Sequence, residues 1–344
     1  MNKIKIEHEI VKAEICEAYE NDKLIPFIGA GFSKNIKGYP DWREFIEELG
    51  KDISINLHHY FKENFLEATE HYVWEKGKMQ RDQGVIEPKN EQEREAVFKK
   101  GKESLLTIIK DMVNKHPRTY YDKTDWICHD TLVTKFDYIY TTNWDNTLEL
   151  SKPETSTKPI SIFTKSHLGT LDALRGSKEL NKYRRENLEK CEKIIKIIKF
   201  HGHYENINAE SLIACQSDYN RRILEENPFD IKFKHDLLHY NFFFIGYNFG
   251  DPNISLMIQL ISGMKKEILP GLKTTIFWLS AENFNDPRVR MIKDSLEVKV
   301  CHLLDKKKQE DLEKCKTWEP ALQDKKQKYL RQSILEFLDN FKEE

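Results

Sequence analysis

Several runs of four or five apolar residues in this chain stop abruptly at a glycine or a polar cluster. Leu24-Ile25-Pro26-Phe27-Ile28 ends at Gly29, Phe242-Phe243-Phe244-Ile245 ends at Gly246, and a third run is Ile276-Phe277-Trp278-Leu279. No polar residue alternates within them, so a strand made of such a run is buried on both faces. That is the habit of parallel strands covered by helices. Segments with helical spacing lie between the runs, at 5–20, 41–49, 217–240, 252–267 and 286–296. Strands alternating with helices predict an α/β fold with a doubly wound, mostly parallel sheet. In such a sheet ligands bind at the carboxyl ends of the strands. Each polar motif here follows an apolar run, so motifs distant in sequence can converge on one edge.

The chain has 344 residues, enough for one large domain or a domain with an insertion. A formal net charge of −2 argues against a dedicated nucleic-acid coat or a polybasic membrane binder. No apolar stretch approaches the roughly 20 residues needed to span a bilayer. The N-terminal residues Met1–Glu9 lack the apolar centre of a signal peptide, so a cytoplasmic protein with no membrane contact is expected. Cys16, Cys128, Cys191, Cys215, Cys301 and Cys315 form no Cys-x-x-Cys pair and read as scattered reduced thiols.

Further strands are expected at Phe136–Thr142, Ile160–Phe163, within Ile194–Phe200 and at Val298–Cys301. Residues 51–135 are charged and poor in β-branched runs, and read as a mainly helical insertion with a surface loop at 77–92. The domain is expected to span 1–302, followed by a helical tail over 303–344. The basic stretch 175–199 interleaves its lysines and arginines with Glu179, Glu186, Glu189 and Glu192. Mixed charge of this kind reads as a solvated helix face, with nucleic-acid contact left only as an indirect prospect.

Four motifs can carry chemistry. Gly29-Ala30-Gly31-Phe32-Ser33 follows the first strand and can turn tightly against an anion, with free N–H groups at the start of a helix. It can equally be a plain strand-to-helix turn. Thr141-Thr142-Asn143-Trp144-Asp145 places Asn143 and Asp145 at a strand end, where they can enter a crevice or cap the next helix. His201 lies between an apolar strand and Gly202, a suitable place for a general base or for a structural histidine. His203 reads as a supporting residue, and without acidic or Cys partners at ligand spacing the pair is not a metal site. Ile245-Gly246-Tyr247-Asn248-Phe249-Gly250-Asp251-Pro252-Asn253 is a second glycine turn, leading into a helix capped by Asp251 with Pro252 at its first position.

In this order and strand context the four motifs resemble the signature of the sirtuin (SIR2) superfamily, across roughly residues 20–302. The ending Ile245–Ile254 resembles the SIR2-like domains of bacterial defence proteins more than protein deacylases. The resemblance implies a Rossmann-like sheet that takes NAD as substrate. The backbone and side chains of Gly29, Ala30, Gly31, Phe32 and Ser33 would cradle the pyrophosphate. Asn143 would sit beside the nicotinamide ribose, Asp145 would contact the carboxamide, and His201 would be the general base. Gly246 and Asn248 would touch a phosphate or the adenine-side ribose, and Glu282 the adenosine ribose.

Two departures from the deacylase pattern favour water over an acyl-lysine as nucleophile. The deacylases' zinc ribbon of paired Cys-x-x-Cys motifs is missing, so no zinc is expected, and Thr142 stands where deacylases carry Gln. The resemblance thus implies an NAD hydrolase that releases nicotinamide and ADP-ribose as an antiviral effector. Its control would come from homo-oligomerisation and a separately encoded partner, foremost a HerA-like ATPase, with an Argonaute-type or other sensor behind it. An NAD-dependent deacylase or ADP-ribosyltransferase is the alternative in the same chemistry. A non-catalytic module that senses NAD or ADP-ribose is the alternative from another class.

Overall fold

The computed structural model describes residues 2–62, 64–80, 84–85, 87–151, 160–163, 195–205, 209–225, 227–282, 286–304, 308 and 320–341. The basic stretch up to residue 194 lies outside them. Seven strands form one all-parallel sheet: β1 (Leu24–Ile28), β4 (Tyr138–Thr141), β5 (Ile160–Phe163), β6 (Ile195–Lys199), β7 (Asn241–Ile245), β8 (Ile276–Ser280) and β9 (Lys299–His302). Their order is β5-β6-β4-β1-β7-β8-β9. The chain therefore lays β4, β5 and β6 on one side of β1, with β6 entering between the other two, then returns to its other side with β7. The fold is a doubly wound, Rossmann-like α/β sheet, and the strand order reverses at β1, the place where sheets of this kind bind ligands at their carboxyl edge.

The apolar runs form strands because both of their faces are covered. In β7, Phe243 and Ile245 face one core while Phe242 and Phe244 face the other. The first core takes α1 (Asn2–Glu20), α7 (Lys123–Lys135) and α12 (Pro320–Leu338), through residues such as Ile15, Leu132, Phe337 and Leu338. The second takes α9 (Pro228–His239), α10 (Pro252–Glu267) and α11 (Pro287–Leu296), through Phe233, Ile254, Ile258 and Ile292. Removing a ring such as that of Phe244, wholly buried among Phe27, Tyr247 and Phe249, would cost about 3–5 kcal/mol. The C-terminal segment is thus part of the sheet's covering layer. Arg331 of α12 also binds Asn35 O at 2.5 Å and Asp125 at 2.8 Å.

A third core joins α3 (Trp42–Asp52), α4 (Leu57–Phe61), α5 (Phe65–Lys78) and α6 (Glu91–Asn114) through Phe45, Leu49, Tyr72, Leu105 and Ile109. Asp41 and Glu44 form the capping box that starts α3. The segment read as the insertion divides here, because α7 packs on the sheet whereas α3, placed before it, belongs to the helical unit. Within the expected loop at 77–92, β2 (Met79–Gln80) and β3 (Gly84–Val85) pair antiparallel. No helix among the described residues is long and apolar enough to cross a membrane.

Candidate active site

Register lines up the four motifs. Ile28 pairs with Thr141 on one side and with Ile245 on the other, and Thr141 pairs with Lys199. These residues stand at one level across four adjacent strands. Gly29 and Gly246 come one residue later, and Asn143 and His201 two residues later. Ile245 pairs with Leu279, so Glu282 emerges from the same edge, three residues past that level.

The Gly29 and Gly246 turns are built against each other. Gly29 N–H donates to Ile245 O at 3.0 Å and Gly31 N–H to Gly246 O at 2.9 Å. A Cβ on Gly29 would lie 2.4 Å from Gly246 O. Gly246 has φ +62°, and a Cβ there would lie 2.2 Å from Phe32 N. Both glycines are therefore fixed by loop-on-loop packing, before any ligand is considered. The helix after the turn, α2 (Ala30–Ser33), has only four residues, and three turn N–H groups, those of Gly29, Gly31 and Phe32, are already engaged. The cradle offers less dipole and fewer donors than the sequence suggests. Ala30 is half-buried and Gly31 exposed, while the Phe32 ring is wholly buried against His129 and its backbone is engaged too, its N–H donating to Gly29 O at 3.0 Å and its carbonyl accepting from Asn35.

Ser33 joins the first motif to the second. Its hydroxyl donates to Asp145 Oδ2 at 2.9 Å and accepts from Asn143 Nδ2 at 3.1 Å. Asn143 Nδ2 also donates to Gly29 O at 3.2 Å. Both amide hydrogens are thereby used, which assigns the amide orientation, and Oδ1 remains buried with no hydrogen-bond partner. Asp145 Oδ1 accepts from Thr147 N–H at 3.0 Å and Thr147 Oγ1 at 2.6 Å, so its carboxylate organises the turn after β4. From below, Thr141 Oγ1 receives Asn143 N–H at 3.0 Å. Buried Lys199 donates to the carbonyls of Asn143 and Asp145 and lies 2.7 Å from Glu149. Burial works to raise the Glu149 pKa, but the Lys199 ammonium and His203 together hold it below the ordinary value. Trp144, between the two polar residues, packs on Trp42 and Phe45 of α3.

The two histidines have different settings. His203 Nε2 lies 3.3 Å from Glu149, and its Nδ1 accepts Glu205 N–H at 3.3 Å, which ties it to the Lys199 cluster. His201 is buried, with Nε2 2.8 Å from Asp251 Oδ2 and Nδ1 3.4 Å from the hydroxyl of Tyr219 on α8 (Gln216–Leu224). The Nε2–Asp251 contact has ion-pair distance without a hydrogen-bond angle. Arg222 steadies the preceding residue, donating to Phe200 O at 2.8 Å while its other nitrogens hold Asp230. Burial pushes the Tyr219 and Tyr247 hydroxyls well above the usual tyrosine range, so both stay protonated. Tyr247 OH and the Asn253 amide are further buried polar groups without partners.

Asn248 and Glu282 stand apart from this network. Asn248 is exposed, and its Oδ1 accepts Gly250 N–H at 3.0 Å, closing its own turn. Glu282 is exposed; its N–H donates to Ser280 Oγ at 3.1 Å and its carbonyl accepts from His302. Sequence reasoning missed the contact of Asp251 with His201. Asp251 does cap α10, through Oδ1 to Asn253 and Ile254 N–H, and that leaves its second oxygen for His201. A cap that uses one of two carboxylate oxygens was the available signal. Among the described residues, no group of three or more His, Cys, Asp or Glu side chains is placed to hold a metal ion.

Residues 137–299 match a family model described as "SIR2-like domain". The chain is also similar to "NAD(+) hydrolase ThsA" of Cytobacillus dafuensis, with 23% identity over 254 residues, which covers 74% of this chain. The chain spans 41% of the length of that curated relative.

Proposed function

We propose, from the match of residues 137–299 to a SIR2-like domain, that the chain hydrolyses NAD at the nicotinamide–ribose bond. The observation that carries this reading is Asn143. Its Nδ2 is fixed by Gly29 O and Ser33 Oγ, while buried Oδ1 has no partner. An unsatisfied buried acceptor costs about 1–3 kcal/mol, and a ribose hydroxyl or a water molecule would satisfy it. The similarity to a protein named as an NAD(+) hydrolase supports the same reading.

In this reading NAD lies across the switch point, with its pyrophosphate at the Gly29–Ser33 turn. The C1′–N bond breaks and nicotinamide leaves as a neutral base with the bonding electron pair, so no strong acid is required. The oxygen of water bonds to C1′ and its proton passes to His201. Asn143 orients the ribose or that water, and Asp145 holds Ser33 and Thr147 beneath them. Orientation of this kind can supply up to about 7–11 kcal/mol of a barrier, and a placed base roughly 10²–10⁴-fold in rate. The biological setting we propose is antiviral defence by NAD depletion. Control would come from oligomerisation and a partner such as a HerA-like ATPase, which the defence-type Ile245–Ile254 ending supports.

The test is to incubate the purified protein with NAD, over a range of protein concentrations and with candidate partners. Equal release of nicotinamide and ADP-ribose, lost in Asn143→Ala and His201→Ala, is expected. Release only with an acylated peptide would make the chain a deacylase, and binding without consumption in every state would make it a sensor.

A further inference from the structure

We infer that Asp251 is a positioning residue that locks His201 in the tautomer carrying its proton on Nε2, leaving Nδ1 as the basic nitrogen; its catalytic meaning rests on the hydrolase reading above. Asp251 Oδ2 lies 2.8 Å from His201 Nε2, and both side chains are about 95% buried. A carboxylate can only accept, so the nitrogen 2.8 Å from it is stabilised electrostatically when it bears hydrogen, even though the angle falls short of a hydrogen bond. Nδ1 faces the Tyr219 hydroxyl at a long 3.4 Å, a contact that water or a ribose hydroxyl can bridge or replace. The Tyr219 hydroxyl donates and leaves the Nδ1 lone pair in its accepting role.

When water attacks C1′, its proton joins Nδ1 and the imidazolium that forms faces the Asp251 carboxylate. The carboxylate stabilises that charge and takes no proton itself, the role of the acidic member in acid–histidine–nucleophile triads. Asp251 is held for this task by its other oxygen, which caps α10 through the Asn253 and Ile254 N–H groups at 2.8 and 3.1 Å. The side chain is rigid because one carboxylate does two jobs. The other charged groups near the pair are engaged elsewhere: Arg222 with Asp230, and Asp218 with Lys102.

The double role makes the idea testable without losing the fold. Asp251→Asn keeps an Oδ1 that caps equally well. Its Nδ2 would face His201 and donate to Nε2, which drives the proton onto Nδ1 and removes the base. Asp251→Ser keeps a cap but presents nothing to Nε2. Ring ¹⁵N shifts of histidine-labelled protein, with the His201 signals assigned by their loss in His201→Gln, report the tautomer independently of activity. The expectation is an Nε2-protonated ring in the wild type, an Nδ1-protonated ring in Asp251→Asn and a mixture in Asp251→Ser. In the NAD assay kcat should fall by roughly 10²-fold or more in Asp251→Asn, with KM and melting temperature little changed. A wild-type ring protonated on Nδ1, or an Asp251→Asn ring still protonated on Nε2, would overturn the inference, as would full kcat in Asp251→Asn. If the wild type cleaves no NAD, the hydrolase reading falls, while the ring shifts still decide the tautomer lock.

Discussion

His129 on α7 should make the fold acid-sensitive by an amount that can be worked out. Its ring is wholly buried, 4.5 Å from Phe32 and 5.7 Å from Trp126, and neither nitrogen has a hydrogen-bond partner. Burial pushes its pKa from 6.5 down to about 3, against an upward pull from the Asp145 carboxylate. Between those values the unfolded chain binds a proton that the native state refuses. The native state is therefore unpenalised above pH 6.5 and loses stability as pH falls below it. At about 1.36 kcal/mol per pH unit, lowering the pH from 7.5 to 5.0 costs about 2 kcal/mol at this residue. His129→Leu has similar bulk and no proton to lose or gain. At pH 7.5 the variant should be at least as stable as wild type, because each unpartnered nitrogen it removes carries a burial cost. Urea unfolding at the two pH values checks the account. The stability gap between variant and wild type should widen by about 2 kcal/mol in favour of the variant at pH 5.0. A gap that does not change with pH would refute the argument that His129 is held neutral.

Two further outcomes follow from particular contacts. Gly246→Ala combines φ +62° with a Cβ 2.2 Å from Phe32 N, and should separate the two glycine turns. A loss of about 2–4 kcal/mol in chemical unfolding is expected, together with lost NAD binding. Lys102 on α6 is buried and donates to Asp218 at 2.5 Å and Leu212 O at 2.6 Å, tying the helical unit to the segment that leads to Tyr219. Lys102→Ala leaves Asp218 an unpaired buried charge, and calorimetry should show a loss of about 3–5 kcal/mol.

The centre of the sheet was legible because β1, β7 and β8 are built on unbroken apolar runs, and the convergence of the motifs because each follows a strand. Asp41, Asp251 and Pro252 likewise marked helix starts through ordinary capping chemistry. Side-chain direction was not legible. Phe32 adjoins the glycine turn in sequence, yet its ring belongs to the first core, and Asn248 closes its own turn. Tertiary packing also decided what became of the lysines. Lys102 lies in the charged segment 51–135 and Lys199 ends the basic stretch expected to be a solvated face, and both are buried on specific carbonyls and carboxylates. Nor could helical spacing show that α7 and α12 cover the sheet while α3 serves the helical unit, because an amphipathic pattern gives a buried face without its partner.

The central claim is that Asn143, held by Gly29 and Ser33, acts on the nicotinamide ribose. It is tested most directly by single-turnover nicotinamide release with protein in excess, comparing wild type with Asn143→Ala and measuring NAD binding alongside. The account predicts release by the wild type, and in the variant a rate lower by roughly 10²-fold or more with binding retained. Release at the wild-type rate from Asn143→Ala, or none from the wild type, would contradict it.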